Sequence, residues 1–183
     1  MNIRDLFVDY EENKEEIEKW LSVKGESKYL LYLKMIEELK IKTSWENVSH
    51  LYKYDKRLLF NLFKYISFFE EYLRVILVNE LNLNLKKLER KCFGSLVREL
   101  KSMPTERINN YFEINFCNNI DLLSALRNRV CHSKIIIIEK YKKEIVAFYD
   151  LLPTKYKENY KKDINNCSKK LTIPKTISQI FLD

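Results

Sequence analysis

Only two glycines, Gly25 and Gly94, and three prolines, Pro104, Pro153 and Pro174, punctuate a chain of 183 residues. Strand-and-turn folds depend on such residues at every reversal, because glycine reaches positive φ without strain and proline presets a turn. A chain this poor in both is expected to fold as an all-α protein of long helices and short joints. Hydrophobic residues make up 46% of it, enough to fill a core. The length suits a single helical domain over 1–183.

Apolar spacing locates the helices. A mostly charged helix is expected from Tyr10 to Val23, with Ile17, Trp20 and Leu21 as its narrow apolar stripe and Gly25 as its stop. Leu30 to Leu39 gives a second helix, and Ser44 or Thr43 can cap a short third one through Trp45, Val48 and Leu51. Asp55 then reads as the start of the strongest helix. Its stripe of Leu58, Leu59, Leu62, Phe63, Ile66, Phe69, Leu73, Ile76 and Leu77 recurs at helical period, as a central core helix requires. Leu81 to Leu88 reads as a helix end or turn, and Phe93 to Leu100 as another helix stopped by Pro104. Ile135 to Ile138 are four β-branched residues in a row, and continuation of a helix into Glu139-Lys140-Tyr141 is the reading adopted for them. Pro153 separates a Lys-rich helix and a short tail, Ile177 to Leu182, from the body.

The stretch richest in chemistry is Leu126-Arg127-Asn128-Arg129-Val130-Cys131-His132-Ser133-Lys134, which holds one of only two histidines. Asn118, Asn119 and Asp121 are candidate N-caps for a helix carrying Ile120, Leu123, Leu126 and Val130 on its apolar face. On that helix Asn128 and His132 share a face. Arg127 and His132 stand five residues apart, or about 140° around the axis. Either the helix breaks between Arg129 and Cys131, or a second subunit completes the pair. His50, the other histidine, has no Arg or ligand partner nearby in sequence and reads as structural. Glu70 and Arg74, four apart with the acid first, form an ion pair at the edge of the central stripe and could orient Arg127 or His132 from behind.

Net charge is +7, which permits a polyanionic partner without requiring one. The lysines concentrate late: Lys155, Lys157, Lys161 and Lys162 lie among Tyr149, Tyr156 and Tyr160. Basic side chains can follow phosphates while aromatic faces stack on unpaired bases. The plainer alternative is a solvated lysine face whose tyrosines complete the core.

Asp55-Lys56-Arg57-Leu58-Leu59 leading to Phe69-Glu70-Glu71-Tyr72-Leu73-Arg74, followed by Leu126-Arg127-Asn128 and His132, resembles the abortive-infection (Abi-like, AbiD/AbiF type) proteins of the HEPN superfamily. The likeness runs from about Trp45 to Leu152, with the Lys-rich helix and tail, 153–183, as an addition. It implies a HEPN-like helical bundle with N-terminal and C-terminal helical additions. It also implies a metal-independent endoribonuclease with a role in phage defence or growth arrest. Arg127, His132 and Asn128 would act at a homodimer interface, with Glu70 and Arg74 in support. Many relatives carry a second histidine where Ser133 stands. Lys134 replaces the tyrosine at which some relatives are modified, so the resemblance does not extend to that regulation.

Residue chemistry is compatible with this. RNA supplies its own 2′-hydroxyl nucleophile, so cleavage needs a proton acceptor, a proton donor and charge stabilisation. An imidazole such as His132 exchanges its proton near neutral pH, and Arg127 can hold a phosphate bidentately. Arg129 and Lys134, with Lys155, Lys157, Lys161 and Lys162, are candidate RNA contacts. No cofactor is expected. Cys92, Cys117, Cys131 and Cys167 are scattered and read as reduced thiols, with no metal site. No apolar run is long enough for a membrane span, and Met1-Asn2-Ile3-Arg4-Asp5 lacks the layout of a signal peptide, so a cytoplasmic protein is expected. Two other functions stay open: a non-catalytic RNA-binding component of an RNA–protein defence complex, and a toxin held by a regulatory RNA or protein partner.

Overall fold

The computed structural model describes residues 2–112, 116–137 and 141–181. Every regular element among them is helical, so the chain is all-α. Ten α-helices follow one another: α1 (Tyr10–Lys24), α2 (Glu26–Glu38), α3 (Trp45–Leu81), α4 (Leu85–Glu89), α5 (Phe93–Lys101), α6 (Thr105–Asn109), α7 (Phe116–Cys131), α8 (Lys142–Leu151), α9 (Thr154–Asn165) and α10 (Lys175–Ser178). The chain groups into two compact units, 1–56 with 168–175, and 57–167 with 176–183. The expected core region, Trp45 to Leu152, draws on both.

In the first unit α1 and α2 meet at Gly25, whose φ of 87° stops one helix and admits the next. Ile17, Leu21, Tyr29, Tyr32, Leu33 and Ile36 are buried with Val48, Leu51 and Tyr54 from the start of α3. Asp9 caps α3, its carboxylate accepting from the Trp45 N–H at 2.9 and 3.1 Å where the helix dipole favours negative charge. Ser44 Oγ accepts from the Asn47 N–H at 3.4 Å, as its sequence position suggests. Nδ1 of His50 accepts from the Thr172 N–H at 3.1 Å, which makes this histidine a structural acceptor.

One expectation fails here. The short third helix and the strong helix beginning at Asp55 are a single helix of 37 residues, α3. Nothing between Trp45 and Leu81 can break it, since no glycine or proline occurs there. Asp55 is not a cap. It is fully buried, and its Oδ2 accepts from the Tyr32 hydroxyl at 2.8 Å.

In the second unit α3 presents Leu58, Leu62, Ile66, Phe69, Leu73, Ile76 and Leu77, all buried. Phe69 packs edge-on against Phe148 of α8 at 5.6 Å, and Phe148 packs in the same way against Tyr160 of α9 at 5.3 Å. Tyr65 meets Tyr160 edge-on at 5.0 Å. The fully buried Tyr160 hydroxyl donates to the Ile145 carbonyl at 3.1 Å, as a polar group in a core must. Main packing partners of α7 are α8 and then α5.

Two further expectations are corrected. Asn118, Asn119 and Asp121 lie inside α7, which is already helical at Phe116 because that ring is buried against Phe112 at 4.5 Å. Nor does a helix continue through the isoleucines. Ile135, Ile136 and Ile137 are buried but irregular, and Ile138, Glu139 and Lys140 lie outside the described residues.

Truncating Phe69 to alanine is expected to cost about 3–5 kcal/mol, the range for a large aromatic removed from a packed core. Chemical denaturation read by circular dichroism measures it. In the first unit, the Arg4 guanidinium and the Tyr10 hydroxyl both donate to Glu18 at 2.7 Å and hold its carboxyl down to a pKa of about 2. Because the folded value lies below the ordinary one, this stabilisation is complete above the usual carboxylate range and is lost as pH falls towards 2. An NMR titration of Glu18 should find that low midpoint, and Arg4→Ala should return it towards the ordinary range.

Candidate functional site

Arg127 and Asn128 sit on the last turns of α7, and Glu70 and Arg74 on the facing side of α3. Leu123, Leu126 and Val130 fix α7 by burying its apolar face, which leaves Arg127 half-buried and Asn128 exposed. Arg127 Nε donates to Glu70 Oε1 at 3.1 Å. The other oxygen of Glu70 lies 3.7 Å from Arg74 Nη2. Arg74 Nε in turn donates to the Leu88 carbonyl at 3.4 Å. The Arg127 guanidinium also stands 5.8 Å from the centroid of Phe93, the first residue of α5, within cation–π range.

Glu70, Arg74 and Arg127 therefore form one cluster, as the sequence suggested for the supporting pair. Their side chains are 17%, 16% and 28% exposed, so solvent screening is partial. Two guanidiniums share one carboxylate. Taken together, the three side chains keep a net positive charge.

His132 lies just beyond this cluster in sequence. It follows the last residue of α7 and is exposed, its backbone N–H donating to the Asn128 carbonyl at 3.2 Å. Ser133 takes φ 49°, the left-handed conformation that ends many helices. Its N–H donates to the Val130 carbonyl at 3.0 Å, and the Lys134 N–H reaches back to the Arg129 carbonyl at 3.1 Å. These two bonds make a Schellman closure. The helix thus runs unbroken past Arg129 to Cys131 and stops just before His132, so no kink between 129 and 131 brings Arg127 and His132 onto one side.

The remaining candidates separate. Arg129 is half-buried: its Nη1 donates to the Ile135 carbonyl at 2.8 Å, and its guanidinium stands 4.0 Å from the Tyr141 ring centroid. It holds the chain that follows the motif. Lys134 is exposed. On α9, Lys155 and Lys162 are exposed while Lys157 and Lys161 are partly covered. Lys155 Nζ lies 4.9 Å from the Tyr156 ring and Lys157 Nζ 5.8 Å from that of Tyr149.

Phe93 and Leu88 hold the arginines in place, yet neither was a candidate from sequence. Both look like ordinary core residues there, and only the fold brings them to the cluster. Cys92, Cys117 and Cys131 are exposed free thiols and Cys167 is a buried one. Among the described residues no group of three His, Cys, Asp or Glu side chains is arranged to hold a metal ion, and no helix is long and apolar enough to cross a membrane. No family model, curated protein or solved structure matches the chain.

Glu70→Ala should leave two half-buried guanidiniums facing each other and cost roughly 1.5–3 kcal/mol, the worth of a hydrogen bond to a charged group. A urea unfolding curve decides it, and an unchanged midpoint would mean that the carboxylate does not hold the cluster.

Proposed function

We propose that the chain is a metal-independent endoribonuclease of the HEPN type, working as a homodimer in the cytoplasm in defence against phage. The observation that carries this reading is the cationic cluster. Arg127 is positioned by Glu70, shares that carboxylate with Arg74, and stands five residues before an exposed histidine at the end of the same helix. A fixed guanidinium stabilises the negative charge that builds on a phosphate during attack. An exposed imidazole can reach a substrate hydroxyl.

In the proposed reaction one His132 takes the proton of the ribose 2′-hydroxyl, whose oxygen attacks the adjacent phosphorus. The bond from phosphorus to the 5′-oxygen breaks, and that oxygen takes a proton from the His132 of the second subunit. A 2′,3′-cyclic phosphate and a 5′-hydroxyl result. Arg127 from each subunit would hold the phosphate oxygens, with Asn128 close enough in sequence to orient the imidazole or contact the phosphate. A two-fold pair answers the angular separation of Arg127 and His132, which a single helix turn leaves on different sides.

Two observations favour a second reading. Arg127 already donates to Glu70, and α9 presents exposed lysines beside tyrosines, an arrangement that would serve RNA binding without cleavage.

Incubation with structured RNA in EDTA separates the two readings. The parent protein should yield ends with 2′,3′-cyclic phosphate, and His132→Ala and Arg127→Ala should each slow cleavage by about a hundredfold or more. Sedimentation should give a dimer. RNA bound but left uncut by the parent protein would favour the non-catalytic component.

A further inference from the structure

A second feature of the 57–167 unit lies outside the arginine cluster. Between the middle of α3 and α9 runs a groove of about 470 Å³, lined by Lys64, Tyr65, Phe68, Tyr156, Asn159, Lys162 and Asp163. Phe68 and Tyr156 meet across it with ring centroids 4.1 Å apart and planes inclined at 47°. Both rings remain partly open to solvent, unlike the sealed aromatics Phe69, Phe148 and Tyr160 in the same unit.

The charge along the groove is uneven. Lys64 Nζ and the Tyr65 hydroxyl both donate to Oδ2 of Asp163, at 2.8 and 2.9 Å. Burial raises the Asp163 carboxyl, but these two donors outweigh it and hold the group below its ordinary range. Asp163 thus answers the charge of Lys64 and ties α9 to α3. Lys162 is exposed at the lip, and Lys155 stands 4.9 Å from the outer Tyr156 ring. The helix as a whole carries four lysines against two acids. Elsewhere on α3, Phe60 is 71% exposed and Phe63 53%.

We propose that this groove seats single-stranded RNA, one or two unpaired bases stacking on Tyr156 and Phe68 while Lys162 and Lys155 meet the flanking phosphates. A volume of this size suits a base with its ribose and is too small for a duplex. Stacking on a ring with an adjacent cation is how proteins hold unpaired bases without reading their sequence. An acidic peptide would use the lysines but leave the aromatic floor unexplained. The inference shares with the proposed function the premise that RNA is the partner. It does not depend on cleavage.

A 2′-O-methyl RNA ten-mer tests it, because that strand lacks the hydroxyl nucleophile and cannot be cut by the proposed chemistry. Fluorescence anisotropy should show binding that weakens with salt and a duplex of the same length binding less well. Tyr156→Ala and Phe68→Ala should each weaken binding by about tenfold or more. Lys162→Glu, at an exposed position that leaves the packing untouched, should weaken it and flatten the salt dependence. Parental affinity in Lys162→Glu and in folded aromatic variants, or no binding of the single strand by the parent, would overturn the proposal. A protein that binds the ten-mer through this groove but cuts no RNA would overturn the nuclease reading alone.

Discussion

The organisation of the second unit rests on one helix that nothing interrupts. The 37 residues of α3 form one helix, in which backbone amides after the first turn bond to the carbonyl four residues back. Its apolar stripe from Leu58 to Leu77 gives the later helices a surface on which to bury their own. The aromatic relay from Phe69 to Phe148 to Tyr160 links α3 to α8 and α9 through successive edge-on contacts, each favoured by the ring quadrupoles beyond the area it buries. Because this part of α3 is buried on one side, its flanking residues have fixed addresses. Glu70 falls opposite α7, and Phe68 falls opposite α9.

Electrostatics at the first of these addresses is decided by stoichiometry. A carboxylate paired with one guanidinium would be a neutral structural link, worth little to a polyanion. Here Glu70 has two, Arg127 at 3.1 Å and Arg74 at 3.7 Å, and Arg74 is further anchored by the Leu88 carbonyl. Partial burial keeps water from screening the surplus charge fully. The same carboxylate that lowers the charge of the cluster fixes where its donors point, which is what an electrostatic contribution to catalysis needs.

Much of the helical plan was legible because it is local. The stripe on α3 has the helical period, and Gly25, Pro104 and Pro153 each stand at a junction between helices. Glu70 with Arg74 was readable too, since an acid four residues before an arginine meets it on any helix. Failures came where a contact made by the fold, or an unsignalled helix ending, outranked a local signal. Asp55 has the side chain of an N-cap, yet Tyr32 of α2 claims its carboxylate and the helix runs through it. Four isoleucines in a row do not reveal that Ser133 will turn left-handed two residues earlier and end the helix. Sequence also does not reveal that the Arg129 guanidinium bonds the Ile135 carbonyl and stands over the Tyr141 ring. Phe68 and Tyr156 carry no motif at all, and only the packing of α9 on α3 makes them a pair.

The end of α7 gives Arg127 and His132 different physical situations. Arg127 is held by an ion pair and set near an aromatic face, so its position is determined by α3 and α5 as much as by its own helix. His132 occupies the capping position, past the last residue that packs, with the Schellman closure at Ser133 turning the chain away behind it. For proton transfer this is an advantage, since an acid or base must come within hydrogen-bond distance of the atom it serves. For a single chain it is also a restriction, because positions five residues apart on an ideal helix point about 140° apart. The proposed nuclease therefore needs the second copy for a geometric reason: in a two-fold pair the imidazole of one subunit can complete the guanidinium of the other.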